Sequence, residues 1–114
     1  MTVNGIYCQI GIVDGSISIS GPATLNCSLD LEGYDEVDHL PDGLTIYGNL
    51  NLIGTNIRAL PSNLTVFGNV DLEGCDTLQT IGRNVYISGN LDVEVCRQLR
   101  SLPPDLVVKG AIFS

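Results

Sequence analysis

Cationic side chains are scarce in this sequence. Thirteen Asp and Glu residues stand against five Lys and Arg, which gives a formal net charge of -8 and a pI of about 4.1. Nucleic-acid backbones and anionic membrane leaflets are themselves negative, so direct binding to either is disfavoured. Charged residues make up only 16% and hydrophobic residues 44%. That balance predicts a folded domain rather than a disordered chain.

Long hydrophobic runs and a secretory leader are also missing. No stretch approaches the roughly 18–20 apolar residues that span a bilayer, and the segment from Met1 to Tyr7 carries no basic side chain. These features predict an intracellular protein. In a reducing compartment the four cysteines are expected to be thiols rather than a disulfide framework. For Cys75 and Cys96, which recur one repeat apart, a thiol pair and a disulfide both stay open.

Motifs for catalysis and metal binding are absent as well. The sequence holds no P-loop, no G-x-S-x-G, no H-E-x-x-H and no EF-hand spacing. It has one histidine and no C-x-x-C pair, which argues against a zinc site. That histidine, His39, lies among acidic residues and is interpreted as a charge-paired surface side chain rather than a general base. We therefore expect no enzymatic activity, no cofactor and no metal.

An internal repeat organises most of the chain. Four segments begin with an apolar residue followed by proline or glycine, at spacings of 20, 21 and 21 residues: Leu40–Pro41, Leu60–Pro61, Ile81–Gly82 and Leu102–Pro103. A degenerate earlier copy begins at Ile19. The shared pattern is L-P-x-x-L-x-V-x-G-N-L-x-L-x-G. Recurrence of one template at a near-constant period is the sequence signature of a repeat architecture.

Each repeat contains two short stretches of alternating apolar residues. In the first full copy they are Leu44/Ile46 and Leu50/Leu52. Period-two apolarity is typical of strands with one buried face. A glycine such as Gly48 lies between the two stretches, as expected where the chain turns a corner.

The repeat predicts an all-β fold, namely a right-handed β-solenoid or leucine-rich-repeat-like coil of about four to five stacked repeats. The chain is expected to be a single domain over residues 1–114, with the solenoid over 19–114. Residues 1–18 are expected to form an N-terminal β-hairpin cap that turns at Asp14–Gly15. The alternative is a β-sandwich of ordinary hairpins, which would not require the same residue types in every repeat.

The repeat resembles the short leucine-rich-repeat-like units of bacterial and phage proteins. The resemblance covers about residues 19–114, and the segment Leu50–Pro61 looks like the L-x-L-x-x-N-x-I-x-x-L-P half of a leucine-rich repeat. It implies a repeat fold but names no function, because such repeats bind many partners. The stretch opposite the L-x-L strand looks extended rather than helical, so a compact all-β coil is expected instead of a horseshoe.

Acidic residues fall into register on the second strand of the repeat. Equivalent positions of stacked repeats are expected to lie about 4.8 Å apart. Two outward columns are mostly acidic: Asp30, Asn51, Asp71 and Asp92 in one, and Glu32, Ile53, Glu73 and Glu94 in the other. Like charges directly opposite each other destabilise a sheet, so a binding role is one explanation. A solvated face that keeps a small β protein soluble is the other.

A second group of acidic residues lies between residues 30 and 42. It holds six carboxylates in 13 residues and includes Asp35, Glu36 and Asp38. All five cationic residues come later: Arg58, Arg83, Arg97, Arg100 and Lys109. The molecule is therefore expected to be polarised, with an acidic pole that attracts a basic partner surface. Nucleic-acid-binding proteins commonly carry such surfaces.

Two uncharged columns are further candidates. Tyr47 and Phe67 share an outward column of the first strand, where they either anchor an interface or pack against a neighbouring loop. Asn49, Asn69 and Asn90 follow the corner glycine. Their side-chain amides are expected to form a ladder that satisfies turn backbone groups.

The last repeat stops part-way through its second strand. An open apolar end with unpaired backbone groups invites pairing with another chain. A homodimer through Val108, Ile112 and Phe113 is therefore one hypothesis. A tail with Phe113 folded over the core is the alternative.

These features together favour a non-enzymatic interaction protein. The first hypothesis is a small acidic inhibitor, encoded by a phage or mobile element, that blocks a basic nucleic-acid-binding surface in the cytoplasm of a bacterial host. Anti-CRISPR and other anti-defence proteins are its concrete form, by analogy and electrostatics. The alternative is a leucine-rich-repeat-like adaptor or assembly module that binds protein through Tyr47, Phe67 and the loop tips. An enzyme is disfavoured because no groove of paired carboxylates is evident.

Overall fold

The computed structural model describes residues 24–114 throughout. Of the preceding residues it describes the backbone of four short strands, β1 (Thr2–Val3), β2 (Ile6–Tyr7), β3 (Ile10–Val13) and β4 (Ser16–Ile19). Every regular element of these described residues is a β-strand, and none is a helix. The all-β prediction is therefore confirmed.

Two five-stranded parallel sheets form two sides of the repeat region. The first sheet consists of β5 (Thr24–Leu25), β7 (Thr45–Ile46), β10 (Thr65–Val66), β13 (Tyr86–Ile87) and β15 (Val107–Val108). The second sheet consists of β6 (Leu29–Asp30), β8 (Leu50–Asn51), β11 (Val70–Asp71), β14 (Leu91–Asp92) and β16 (Ile112–Phe113). A third side carries one parallel pair, β9 (Ala59–Leu60) and β12 (Thr80–Ile81).

Strand pairing joins residues that are one repeat apart. Thr65 pairs with Thr45 on one side and with Tyr86 on the other, and each of these pairings is parallel. One repeat is thus one coil, and the chain is a β-solenoid of about four coils, as the repeat period predicts. The β-sandwich alternative is wrong, because hairpins would make these pairs antiparallel.

The interior of the solenoid is a stack of aliphatic side chains. In the second sheet the inward column Leu29, Leu50, Val70 and Leu91 is at most 1% exposed. The inward residues of the first sheet and of the third side join the same core. Removal of this apolar surface from water is the main stabilising contribution, since no single coil could bury its own apolar face.

Consecutive coils are linked at one corner by a ladder of asparagine side chains. Oδ1 of Asn49 accepts a hydrogen bond from the amide of Asn69 at 2.9 Å, and Oδ1 of Asn69 accepts from the amide of Asn90 at 2.8 Å. The ladder begins at Ser28, whose Oγ accepts from the amide of Asn49. It ends at Ala111, whose amide donates to Oδ1 of Asn90. The predicted ladder is confirmed.

The glycine before each of these asparagines allows the coils to approach closely. A Cβ at Gly89 would lie 2.7 Å from the carbonyl oxygen of Gly68, and it would also collide with the Asn69 side chain. The Gly-Asn pair of the repeat is therefore one unit, because the asparagine of one coil occupies the space that a side chain on the next glycine would need.

The N-terminal strands pair in antiparallel fashion. β3 pairs with β4 in a register that joins Val13 to Ser16, which agrees with the predicted hairpin. The predicted turn at Asp14–Gly15 lies outside the described residues, as does the contact through which residues 1–18 would cap the solenoid. A second antiparallel pair, β1 with β2, was not predicted.

The cysteines differ from one another. Cys27 is disulfide-bonded, so the expectation of four reduced thiols is wrong for this residue. The position of a cysteine in an alternating apolar pattern does not show whether its side chain is a buried thiol or half of a disulfide. Cys75 and Cys96 are free and buried, which resolves their open redox state in favour of the thiol pair. Cys8 lies outside the described residues.

Candidate interaction site

The outward side of the second sheet carries the predicted acidic columns. We call this surface the acidic face and define it by Asp30, Glu32, Asp71, Glu73, Asp92 and Glu94. Strand register places Asp71 directly beside Asp92, and Asn51 between Asp30 and Asp71. Carboxylate oxygens of Asp71, Glu73 and Asp92 all lie within 4.8 Å of one another. The predicted alignment of carboxylates along the solenoid is thus confirmed for these residues.

The aspartates of the acidic face have a structural role that sequence reasoning missed. Oδ1 of Asp71 accepts the amide of Glu73 at 3.1 Å, and Oδ1 of Asp92 accepts the amide of Glu94 at 3.0 Å. Asp30 makes the same bond, and Asn51 makes it with an uncharged amide oxygen. Such side chains stabilise the turn that follows each strand. The asparagine among the aspartates was the available signal that the position needs an oxygen, not a charge.

The glutamates of the acidic face are different. Glu73 and Glu94 are exposed, and within residues 24–114 no hydrogen bond or ion pair engages either carboxylate. Only Glu32 is held, because its Oε1 accepts a hydrogen bond from Nδ2 of Asn51 at 3.1 Å. Glu73 and Glu94 are therefore the carboxylates of this face that are available to a partner.

Cations of the chain do not neutralise the acidic face. In residues 24–114 the ion pairs are Arg97 with Asp76, at 3.9 Å, and His39 with Asp38, at 2.6 Å. Neither pair includes a carboxylate of the acidic face. Like charges in neighbouring strands repel each other, so this surface costs stability that a cationic partner would restore.

The second group of acidic residues, between residues 30 and 42, shares Asp30 and Glu32 with the acidic face and extends beyond them into the following turn. Asp35 and Glu36 are exposed in the turn, whereas Asp38 is half-buried and bonded to Nδ1 of His39. The imidazole is well exposed, at 59% of its side-chain surface. His39 is thus an exposed side chain hydrogen-bonded to a neighbouring carboxylate, which agrees with its interpretation as a surface residue.

Three aromatic residues, Tyr47, Phe67 and Tyr86, lie on the first sheet, whereas the acidic face is on the second. The rings of Tyr47 and Phe67 stack with centroids 5.0 Å apart and planes 10° from parallel. They remain 52% and 45% exposed. Tyr86 joins the stack at 5.9 Å from Phe67 with a tilted ring. Sequence reasoning missed Tyr86, because it occupies the neighbouring outward column, that of Thr45 and Thr65.

The last coil holds the residues predicted to form a homodimer interface. Ile112 and Phe113 are 43% and 45% exposed on β16, the outermost strand of the second sheet. Val108 is half-buried and packs against the core. The apolar residues of this surface are thus accessible, with Ile112 exposed where its counterparts in earlier coils are buried.

The thiols of the described residues are poor nucleophiles. Burial, with a smaller contribution from the neighbouring Cys96 thiol, raises the pKa of Cys75 from 9.0 to about 11. Burial likewise raises the pKa of Cys96. Their Sγ atoms donate to the carbonyl oxygens of Leu52 and Leu72 in the preceding coils. Because the thiolate is the reactive form, both cysteines serve packing rather than chemistry.

The described part of the chain contains no helix with the length and apolarity that a bilayer crossing requires. No family model, curated protein or solved structure matches this sequence.

Proposed function

We propose that this chain is a non-enzymatic interaction protein that inhibits a nucleic-acid-binding protein by occupying its basic surface. The observation that carries the proposal is the pair of exposed carboxylates of Glu73 and Glu94, one coil apart on an acidic face that no ion pair of the described residues neutralises. We further propose a phage or mobile-element origin, an anti-CRISPR or anti-defence role, and action in the cytoplasm of a bacterial host. These finer statements are supported by the small acidic chain and the resemblance of its repeat.

The acidic face is complementary in charge to a phosphate-binding surface. Proteins that bind nucleic acids place Lys and Arg along the path of the phosphates. Carboxylates that recur in adjacent coils, at the strand spacing of about 4.8 Å, offer those cations neighbouring partners. A complementary charge distribution also accelerates encounter and rejects partners of the wrong charge. Binding of this kind weakens steeply as salt rises.

The experiment is an affinity capture from bacterial lysate at low and moderate salt, followed by mass spectrometry. Glu73→Gln with Glu94→Gln removes two charges from the acidic face. The matched control, Asp76→Asn with Asp105→Asn, removes two charges outside the acidic face and outside residues 30–42, and it keeps the oxygen that accepts the amide of Asn84. The captured protein is then challenged with its own nucleic acid.

Capture of a nucleic-acid-binding protein that is lost with the Glu variant, kept with the control and displaced by nucleic acid supports the proposal. Capture that survives moderate salt and the Glu variant contradicts it. So does a captured protein that still binds its nucleic acid fully in the complex.

A second candidate function, an adaptor or assembly module, is favoured by the exposed Tyr47–Phe67 stack. Aromatic anchors of an interface bury apolar surface and depend little on salt. Tyr47→Ala with Phe67→Ala would abolish binding by an adaptor and leave binding by the acidic face intact. The same capture experiment, with this variant added, therefore separates the two functions.

The proposed cytoplasmic location has its own test. Free thiols at Cys75 and Cys96 are typical of a reducing compartment, whereas the disulfide at Cys27 is typical of an oxidising one. Alkylation of denatured protein, taken directly from cells, counts the thiols. A cytoplasmic location requires the Cys27 disulfide to be reduced in the cell, so four thiols per chain support that location and two contradict it.

A further inference from the structure

Pairing between coils is interrupted on the third side of the solenoid. Between β9 and β12 the amide of Gly82 donates to the carbonyl of Leu60 at 2.9 Å, and that of Gln79 to the carbonyl of Arg58 at 2.7 Å. One repeat later, Pro103 occupies the position of Gly82. Proline has no N–H, so the bond that Gly82 makes to the preceding coil cannot be made here.

A cavity opens at this interruption. Within the described residues no backbone hydrogen bond joins residues 98–103 to residues 79–81. The cavity has a volume of about 610 Å³, within the range of small-molecule sites. Its lining consists of Gln79, Thr80, Ile81, Gln98, Arg100, Ser101 and Pro103.

The lining has a definite chemical character. Two side-chain amides and two hydroxyls offer both donors and acceptors, and Arg100 supplies a guanidinium. No carboxylate from residues 24–114 lines the cavity, although acidic residues outnumber cationic ones in the sequence by 13 to 5. A comparable cavity of about 540 Å³ at Pro61 is lined by Asp42 and His39 instead. The cavity at Pro103 thus differs from the cavity at Pro61 in having no acidic side chain among its described lining residues.

We propose that this cavity binds a small hydroxylated anion, namely a sugar acid or a sugar phosphate. The guanidinium of Arg100 pairs with the carboxylate or phosphate in the planar geometry that arginine favours. The amides of Gln79 and Gln98 and the hydroxyls of Thr80 and Ser101 bind the hydroxyl groups of the ligand. This site is separate from the acidic face and does not depend on the function proposed for that face.

The test is a titration of the full chain, followed by NMR of the side-chain amides of Gln79 and Gln98. The probes are glucuronate, glucose 6-phosphate, glucose and acetate. We expect saturable shifts of both amides with at least one of the first two probes. Glucose, which lacks the anion, and acetate, which lacks the hydroxyls, should each bind at least about tenfold more weakly. The two anionic sugars distinguish a carboxylate ligand from a phosphate ligand.

Two variants test the assignment of residues. Arg100→Gln should weaken binding at least about tenfold, whereas Arg83→Gln removes the same charge outside the cavity and should leave binding unchanged. Pro103→Gly restores an N–H and should close the cavity without removing any of its polar groups, so it should also abolish binding. Equal binding of glucose, equal effects of the two arginine variants, or no saturable shift with either anionic sugar would overturn the proposal.

Discussion

Asp71 and Asp92 are register partners in adjacent parallel strands, and the carboxylate of each accepts the amide of the glutamate two residues further along its own chain. The same two side chains therefore repel each other across the sheet and stabilise the turns that end their strands. Asn51, at the equivalent position one coil earlier, makes the turn bond without a charge. Repulsion and turn formation can thus be separated by substitution.

Replacement of both aspartates by asparagine should preserve or raise stability. Asp71→Asn with Asp92→Asn keeps both turn acceptors and removes the repulsion. Asp71→Ala with Asp92→Ala also removes the acceptors, and each lost bond should cost about 1 kcal/mol. Urea unfolding at low salt measures the difference between the two variants. Equal stability of the asparagine and alanine variants would show that the turn bonds contribute nothing.

Interruption of the asparagine ladder should destabilise the stacking of coils. Asn69→Ala leaves the amide of Asn90 without its acceptor and removes the side chain that fills the corner beside Gly89. We expect a loss of about 1 kcal/mol or more in the free energy of unfolding. Asn69→Asp retains an acceptor oxygen and should lose less. The idea fails if the alanine and aspartate variants unfold at the same urea concentration.

The buried thiols should make the fold sensitive to alkaline pH. Burial raises the pKa of Cys75 from 9.0 to about 11, so between these pH values the unfolded chain releases a proton that the folded chain retains. Stability from this group is complete below pH 9 and is lost as pH rises toward 11. Thermal unfolding across this range should show a smaller decline for Cys75→Ser than for the unchanged chain. Parallel declines would contradict the prediction.

The exposed residues of the last coil should support self-association. Ile112 is 43% exposed, whereas Leu91 at the equivalent position is fully buried, and association of two copies would cover this apolar surface. We expect a dimeric mass in light scattering. Phe113→Asp should yield a monomer, and Phe67→Asp, at an equally exposed phenylalanine, should not. A monomeric mass of the unchanged chain at tens of micromolar would contradict the prediction.

The parts of the site that could be read from the sequence are those set by the repeat period. The alternation of apolar and polar residues predicted which side chains point outward. The period of 20 or 21 residues predicted that Asp71 and Asp92 are neighbours. The roles of these side chains were not readable. Whether a carboxylate bonds to its own backbone depends on the local path of the chain after the strand, which the spacing of residue types does not specify.

Other features were decided by packing in three dimensions. Tyr86 joins the Tyr47–Phe67 stack because an aromatic ring reaches across to a neighbouring column, and no one-column alignment predicts that reach. The disulfide at Cys27 was not indicated by the spacing of residue types. The cavity at Pro103 lies where a proline has no N–H to donate to the preceding coil and where residues 98–103 make no backbone hydrogen bond to residues 79–81.

The sequence by itself determined the solenoid. Each coil buries its apolar residues against neighbouring coils of the same pattern, and every repeat supplies that pattern of strands, corner glycine and asparagine. Only the tertiary structure decided which surface groups are free. Hydrogen bonds hold the aspartates and Glu32, whereas Glu73 and Glu94 face solvent without a partner in the described residues. The physical reason is that the core forms wherever apolar residues recur at the strand and repeat periods, which the sequence displays. Whether a surface carboxylate is available for binding depends on the hydrogen-bond donors that lie beside it once the coils are stacked.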